Sequence, residues 1–197
     1  NENRLLFTLD YLAHNFSIDG ISKSPAVFYY DKLKWFNAEY IRAMEPEQFV
    51  HLAMPYFREV FGDKECDWQV LASILQPRVI QMTQIPEMIS FFRELPDYPA
   101  DFFINKKSKT TLENSGEMLK EAIAELEQIG DWKLDVIHEA LITLAGRLGV
   151  KNGTLLWPVR IAAAGVQVTP GGAMEILTIL GKEEALRRLR IGLEKLN

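Results

Sequence analysis

The residues best suited to chemistry lie in one stretch near the end of the chain, residues 151–172. Arg160 follows Trp157-Pro158, and Thr169-Pro170-Gly171-Gly172 comes a few residues later, just before an apolar helical pattern. A helix that starts there begins with backbone N–H groups that lack intrahelical acceptors, at the positive end of its dipole. An arginine beside such a turn can donate hydrogen bonds to the edges of unstacked bases, as recognition of single-stranded RNA requires.

The same residues also fit a purely structural corner between two helices. In that alternative, Thr169 is the N-cap of the second helix and Arg160 forms a surface ion pair. Composition favours this structural alternative, because the formal net charge is −5 and neither half of the chain is a polycation. A nucleic acid would therefore have to be bound by local contacts rather than by a broad positive field.

No arrangement typical of catalysis or of metal binding occurs in the sequence. There is no Ser–His–Asp order, metal signature or phosphate loop, and Gly171-Gly172 lacks the strand–turn–helix context of a dinucleotide site. The single cysteine, Cys66, shows no ligand spacing with His14, His51 or His138. We therefore expect no intrinsic catalysis, no metal and no cofactor in this chain.

The number of cysteines and the length of the apolar runs indicate where in the cell the protein resides. One cysteine excludes an internal disulfide and fits a reducing cytoplasm. The longest apolar runs, such as Leu155-Leu156-Trp157, are far too short to span a membrane, so we expect a cytoplasmic chain with no membrane partner. Because Asn1, rather than an initiating Met, leads directly into a helical pattern, the sequence indicates a piece of a longer protein.

The elements that must position these residues are helical, and the predicted fold class is all-α. Apolar side chains recur at helical spacing nearly throughout, and no alternating strand pattern persists. Pro77 is expected to break a helix that starts at Trp68, just before Arg78. Other helix starts and ends are predicted at Thr8, Ser24-Pro25, Glu45-Pro46, Gly62, Pro86, Gly130, Gly149 and Gly181.

The second half of the chain is predicted to hold two short helices around the arginine. Pro158 should start one of them, with Arg160 in its first turn, and the other should run from about residue 173 to 180. The best linker candidate is residues 95–111, which contain two prolines and a lysine run expected to be solvated, Lys106, Lys107 and Lys109. The sequence predicts three helical domains, at residues 1–46, 47–108 and 109–197.

Three stretches are specific enough to compare with a known family. They are residues 22–42, with Ser22-Lys23-Ser24-Pro25 and Lys32-Leu33-Lys34-Trp35-Phe36-Asn37; residues 76–80, Gln76-Pro77-Arg78-Val79-Ile80; and residues 151–172. In this order they resemble the stem-contact and anticodon-binding region of glutamyl-tRNA synthetases, and together they span essentially the whole chain. The resemblance implies tandem helical bundles that form an anticodon-binding cage, preceded by a short helical stem-contact segment.

The resemblance also implies roles for individual residues. Arg78 looks like the arginine that reads the third anticodon letter and so separates glutamate tRNA from glutamine tRNA. Arginine offers two parallel donors to the O2/N3 edge of cytosine, where guanine presents a donor instead. Arg160, Thr169 and Pro170 fit the other anticodon contacts, whereas Gly172 replaces a bulkier residue and could contribute only backbone. Local capping beside the Pro77 break is the structural alternative for Arg78.

In the stem-contact stretch, the resemblance implies phosphate contacts for Lys34 and Arg42, although surface cations usually contact only water. Trp35 is expected to pack in the core rather than stack on RNA. Asn37 is expected to hydrogen-bond to nearby backbone. The implied partners are therefore the anticodon loop and stem of tRNA(Glu), together with the chain's own N-terminal catalytic domain.

The catalytic motifs of the family, which bind ATP with magnesium, do not occur in this sequence. The resemblance thus implies that the parent ligates glutamate to tRNA and that this chain alone does not. Two other classes stay open. A helical protein-interaction module would use the aromatic-rich segment 68–103 as an exposed apolar groove. A regulatory paralogue with the same fold would have Arg78 and Arg160 on different faces.

Overall fold

The computed structural model describes residues 7–20 and 29–196. These residues form ten α-helices and four short 3-10 helices, and their one strand-like pairing is an isolated antiparallel bridge between Asn105 and Thr110. The all-α prediction is confirmed. The α-helices are α1 (Leu9–Asn15), α2 (Tyr30–Arg42), α3 (Pro46–Phe61), α4 (Trp68–Leu75), α5 (Ile85–Met88), α6 (Leu112–Glu127), α7 (Leu134–Arg147), α8 (Asn152–Ala164), α9 (Ala173–Leu180) and α10 (Lys182–Glu194). The 3-10 helices are Ile18–Gly20, Met82–Gln84, Ser90–Phe92 and Ala100–Phe103.

The first two helices are little buried. Helix α1 buries none of its residues, and α2 buries only Ala38 and Ile41. The side chain of Thr8 accepts a hydrogen bond from the Tyr11 N–H at 3.2 Å, so the predicted N-cap of α1 is confirmed. The predicted helix start at Ser24-Pro25 lies outside the described residues.

One continuous hydrophobic core extends from Ile41 to Leu189. Helix α3 packs against α4 and α5, while α6, α8 and α10 pack against one another. Helix α4 packs against α9 and thereby joins the first group of helices to the second. This contact matters for the site, because Arg78 follows α4 and the Thr169-Pro170 turn precedes α9. The division into parts at residue 108 stays a prediction.

Most helix boundaries follow the glycine and proline signals. Helix α3 ends at Gly62 and α9 ends at Gly181, and the φ angles of these glycines, 58° and 77°, are disfavoured for other residues. Helix α4 ends at Leu75, just before Pro77, as predicted. Helix α5 has Pro86 in its first turn, which confirms the predicted start there.

The predicted linker at residues 95–111 is wrong for most of its length, because the segment packs into the core. Tyr98 and Phe103 are 3% and 0% exposed. The Thr110 hydroxyl is also buried and donates to the Phe103 carbonyl oxygen at 2.7 Å. Prolines and lysines indicated exposure, but the aromatic side chains between them stabilise the folded state by burial, about 1.5–3 kcal/mol each. Residues between these buried side chains, such as Asp97, Asp101 and Ile104, are exposed, as are the lysines at the tip of the segment.

The prediction that Pro158 starts a helix is also wrong. Helix α8 begins at Asn152, so Pro158 lies inside it and Arg160 lies in its C-terminal half rather than in its first turn. An interior proline costs about 3 kcal/mol. Leu155 and Val159 are fully buried on the same helix. Burial of each contributes about 1.5–3 kcal/mol, which offsets the cost of the proline.

Candidate nucleic-acid interface

A cleft of about 440 Å³ joins the segment after α4, the end of α5 and the turn before α9. Arg78 enters it from the first of these, and Thr169 and Pro170 enter it from the last. The packing of α4 on α9 brings these predicted residues together although they are far apart in the sequence. The full lining is Arg78, Glu87, Met88, Ser90, Phe91, Val166, Val168, Thr169 and Pro170.

Arg78 both caps α4 and faces the cleft. Its Nη1 donates to the Ile74 carbonyl oxygen at 2.9 Å, which is the local capping expected in the structural alternative. A guanidinium carries five N–H donors, so this bond leaves the others for a ligand. Because the capping bond fixes the side chain, Arg78 presents its remaining donors from a defined position.

Arg160 reaches the same turn from α8. Its Nη1 donates to Thr169 Oγ1 at 2.8 Å, and that hydroxyl in turn donates to the Gly171 carbonyl oxygen at 2.7 Å. The guanidinium carbon lies 4.6 Å from the centroid of the Trp157 ring, in cation–π geometry. Burial lowers the pKa of Arg160, but arginine remains charged in proteins. The site therefore holds a half-buried cation between an aromatic ring and a hydroxyl.

The structural alternative for this corner is wrong in both of its details. The N-cap of α9 is Gly172 rather than Thr169. Within the described residues, the polar partner of Arg160 is the Thr169 hydroxyl rather than a carboxylate. Thr169 thus serves to hold the arginine, and the arginine is not neutralised by an ion pair.

The expected free amide at Gly172 is already engaged. Its N–H donates to Glu175 Oε2 at 3.0 Å, so a carboxylate occupies the positive end of α9. A ligand could use this amide only by displacing Glu175. The role of Gly172 in binding therefore stays a prediction, and the structure adds a competitor for it.

Lys34 and Arg42 do not line the cleft. Both lie on α2 and have acidic neighbours three residues earlier: Lys34 Nζ is 3.9 Å from Asp31, and Arg42 forms an ion pair with Glu39. Exposed pairs of this kind contribute about 0–1 kcal/mol and exchange readily for other partners. Their predicted phosphate contacts remain predictions.

Helix α2 is nevertheless tied to the segment that carries Arg78. Asn37 donates to the Ile80 carbonyl oxygen, a distant backbone partner rather than the nearby one that was expected. Gln76 Nε2 donates to the carbonyl oxygens of Ile41 and Met44 at 3.0 and 2.8 Å. These bonds fix the end of α2 against both sides of Pro77.

The expected core position of Trp35 is wrong. Its side chain is 43% exposed and contacts Phe36 edge-on, with ring centroids 5.1 Å apart. Only the C-terminal half of α2, through Ala38 and Ile41, reaches the core, and Trp35 lies before that half. Burial of a tryptophan could not be inferred from its apolar character alone.

Sequence reasoning missed six of the nine residues that line the cleft: Glu87, Met88, Ser90, Phe91, Val166 and Val168. Glu87 and Ser90 come into the cleft because α5 and the 3-10 helix Ser90–Phe92 pack on α3, which no local pattern reveals. Val168 is 88% exposed and offers an apolar surface beside Thr169. A valine in a polar turn, outside any helical stripe, is the one signal that could have drawn attention to it.

The structure bears on both alternatives to RNA binding. In segment 68–103 the aromatic side chains are largely buried, with Phe91 and Phe92 3% and 5% exposed, so they do not form an exposed aromatic groove. Met88 and Phe91 of this segment do form part of the lining of the cleft. Arg78 and Arg160 are linked through Thr169, which lines the cleft with Arg78 and accepts a hydrogen bond from Arg160, whereas Arg160 itself is not among the lining residues.

Other kinds of site find no support in the described part of the chain. No helix there combines the length and apolar character needed to cross a membrane. No group of three or more His, Cys, Asp or Glu side chains is arranged there to hold a metal ion. Burial, with smaller contributions from the carboxylates of Asp67 and Glu65, raises the pKa of Cys66 to about 12. This cysteine therefore stays a thiol at neutral pH and is a poor nucleophile.

Comparison with known proteins agrees with this geometry. The sequence profile of the family described as "Anticodon binding domain" matches residues 48–193. The chain belongs to this family of anticodon-binding domains.

The chain is also similar in sequence to individual curated proteins. The chain is 46% identical over 191 residues to a glutamate–tRNA ligase of Clostridium tetani (strain Massachusetts / E88), covering 97% of this chain and 39% of that protein. It is 42% identical over 197 residues to a glutamate–tRNA ligase of Clostridium novyi (strain NT), covering 98% and 40%. The chain thus spans about two fifths of the length of these relatives.

Solved structures show the same fold. The crystal structure of a glutamate tRNA ligase from Elizabethkingia meningosepticum CCUG26117, in complex with its amino acid, superposes with a TM-score of 0.83 at 22% identity, covering 99% of this chain and 38% of that chain. The glutamate–tRNA synthetase of Elizabethkingia anophelis gives a TM-score of 0.78 at 22% identity, covering 98% and 37%.

Proposed function

We propose that this chain is the anticodon-reading part of a glutamate–tRNA ligase and that its cleft binds unstacked anticodon bases of tRNA(Glu). The observation that carries the proposal is that Arg78 and Thr169 line one cleft and that Thr169 accepts a hydrogen bond from Arg160. Proteins that recognise RNA loops by sequence bind splayed-out bases through hydrogen bonds to their edges and through stacking. The cleft offers fixed donors for the first and an apolar surface at Val168 for the second.

Each side chain has a role that its chemistry suits. Arg78 would donate to the O2/N3 edge of a cytosine at the third anticodon letter, where guanine is rejected because it presents a donor. Arg160, Thr169 and Pro170 would contact the other letters. Glu87, when ionised, can only accept hydrogen bonds, so it suits an exocyclic amino group of a base.

The remaining functions of the ligase would belong to parts of the protein outside this chain. Ligation of glutamate to tRNA with ATP and magnesium needs groups that this sequence lacks, so the chain alone would be inactive. Lys34 and Arg42 would contact phosphates of the anticodon stem after leaving their acidic partners on α2. Relationship to tRNA ligases and the presence of a single, partly buried cysteine favour the cytoplasm.

The test is a binding titration with glutamate tRNA and with versions in which each anticodon letter is replaced, all at one ionic strength. A tRNA changed at one base pair of a distant stem serves as the control. We expect each replaced letter to cost about 1–3 kcal/mol and the control to bind like the original. Equal affinity for every anticodon would overturn the proposal.

A further inference from the structure

A second cleft, of about 380 Å³, lies between the turn at residues 105–109 and the start of α8. Its walls include Lys107, Lys151 and Trp157. The turn is held rigidly, because Asn105 Oδ1 accepts from the Ser108 N–H at 2.9 Å and Thr154 Oγ1 donates to the Ser108 carbonyl oxygen at 2.8 Å. The lysines therefore project from a fixed backbone. We call this feature the lysine cleft, and we include in it the exposed Lys106 and Lys109 of the same turn.

Among the described residues, lysines without a contacting carboxylate, carbonyl oxygen or aromatic ring are concentrated in the lysine cleft. Lys32, Lys34, Lys133, Lys182 and Lys195 are each held by a carboxylate, a carbonyl oxygen or an aromatic ring. The lysines whose ammonium groups have no such contact are Lys64, Lys106, Lys107, Lys109, Lys120 and Lys151. Four of the six thus belong to the lysine cleft, in a chain whose formal net charge is −5. Such a concentration of uncompensated cations favours an anionic ligand.

Backbone groups add to the same potential. Helix α8 starts at Asn152, and Gly153 of its first turn lines the lysine cleft. The first amides of a helix lack intrahelical acceptors and stand at the positive end of the helix dipole. The amides at the start of α8 and the ammonium groups of Lys107 and Lys151 therefore act on the same space.

The lysine cleft is linked to the cleft that holds Arg78 by a chain of side-chain contacts through Trp157, Arg160 and Thr169. Trp157 forms part of its wall, and the other contact of that ring is the guanidinium of Arg160, which is bonded to Thr169. Trp157 is itself fixed, because its Nε1 donates to the Phe102 carbonyl oxygen at 3.0 Å. Arg160 follows Lys151 by nine residues on α8, about 13 Å at about 1.5 Å per residue.

We propose that the lysine cleft binds backbone phosphates of the same RNA whose bases enter the cleft at Arg78. The inference rests on the proposed function, because that function identifies the ligand as RNA. It adds a second surface, which binds the RNA backbone and contacts no base. Lysine ammonium groups bind phosphate as point charges, and phosphate contacts fix register without reading sequence. The lysine cleft would thus position the anticodon loop so that its bases enter the cleft at Arg78.

The test is the double variant Lys107→Gln/Lys151→Gln of this chain, titrated with glutamate tRNA and with an anticodon-swapped tRNA at several salt concentrations. We expect weaker binding of both RNAs by the same factor. The slope of log affinity against log salt concentration should become shallower by about 1.5–2, since two phosphate contacts are lost. Should this variant unfold, Lys106→Gln/Lys107→Gln gives the same readout at two exposed positions.

The matched control is Lys64→Gln/Lys120→Gln, which removes the same charge at two other exposed lysines without partners. Equal weakening by both double variants would show a general effect of net charge and would overturn the inference, as would a loss confined to one anticodon. Failure of the proposed function has a different signature. In that case the unaltered chain binds all anticodons equally, whatever the lysine variants do.

Discussion

Arg160 owes its position to two neighbours of different chemistry. The Trp157 ring supports one face of the guanidinium, and the Thr169 hydroxyl accepts a hydrogen bond from its edge. Because that hydroxyl donates its own proton to the Gly171 carbonyl oxygen, its lone pairs are aimed at the arginine. The orientation of Arg160, for which we propose a contact with an anticodon base, is therefore set by a threonine that itself lines the cleft.

Replacing Thr169 by valine should weaken binding of glutamate tRNA. The change keeps the shape of the side chain but removes the acceptor for Arg160, and hydrogen bonds to charged groups contribute about 1.5–3 kcal/mol. We therefore expect affinity to fall roughly tenfold to a hundredfold in a tRNA titration at fixed salt. Thr169→Ser keeps the hydroxyl and should bind almost as well as the unaltered chain. A valine variant that matches the serine variant would show that the hydroxyl has no such role.

At the scale of helices, the sequence correctly predicted the helix ends that are set by the backbone preferences of single glycines and prolines. Gly62, Pro77 and Gly181 set helix ends as expected, since their backbone preferences act within a few residues. The sequence did not predict the burial of segment 95–111 or the passage of α8 through Pro158, because tertiary packing overrode the local signals there. The same division holds for the cleft. Arg78, Thr169 and Pro170 were found from motifs, whereas Glu87 and Val168 enter it through packing that no motif carries.

The crossing of α8 and α10 shows how closely the helices must approach. A Cβ atom added at Gly192 would lie 2.6 Å from Ala162 Cβ, closer than two carbon atoms can pack. We expect Gly192→Ala to lower the free energy of unfolding by about 1–3 kcal/mol, because the two helices would have to separate. Chemical denaturation monitored by circular dichroism measures this change.

Gly146→Ala is the matched control for that variant. Gly146 lies in α7, and an added Cβ there would meet nothing within 4 Å. Alanine is favoured over glycine inside a helix, so this variant should raise the free energy of unfolding by about 0.5–1 kcal/mol. If both alanine variants changed stability in the same direction, close packing at Gly192 would not be the cause.

Across the whole molecule, Arg188 connects the parts that form the cleft. Its side chain is 1% exposed and lies on α10. It donates to the carbonyl oxygens of Phe91 at 2.7 Å and Ala163 at 2.9 Å. Phe91 lines the cleft, and Ala163 belongs to the helix that carries Arg160. Glu184 accepts from Arg188 Nε at 2.6 Å and so compensates its buried charge.

This ion pair should make stability depend on pH in the acid range. Hydrogen bonds from Arg187 and then Arg188 lower the pKa of Glu184 from an ordinary 4.5 to about 2. The carboxylate therefore contributes its full stabilisation above about pH 4.5, and this is lost as the pH falls towards 2. Because Glu184 is partly exposed, we expect a contribution of about 2 kcal/mol rather than the full value of the shift.

Glu184→Gln should therefore lower the free energy of unfolding by about 2 kcal/mol at neutral pH, and the difference from the unaltered chain should shrink between pH 4.5 and 2. Urea denaturation at a series of pH values measures both effects. Glu183→Gln, an exposed neighbour on α10, should leave the pH dependence unchanged. A Glu184 variant with the same acid dependence as the unaltered chain would exclude this ion pair as the source.

Base reading in the cleft is tested most directly by combining a change in the protein with a change in the RNA. Affinities would be measured for the unaltered chain and for Arg78→Ala, each with glutamate tRNA and with a tRNA whose third anticodon letter is changed. We predict that the letter change costs the unaltered chain about 1–3 kcal/mol and costs Arg78→Ala almost nothing, because the side chain that reads the letter is gone. The same cost in both proteins would contradict the assignment of Arg78 and, with it, the role of the cleft.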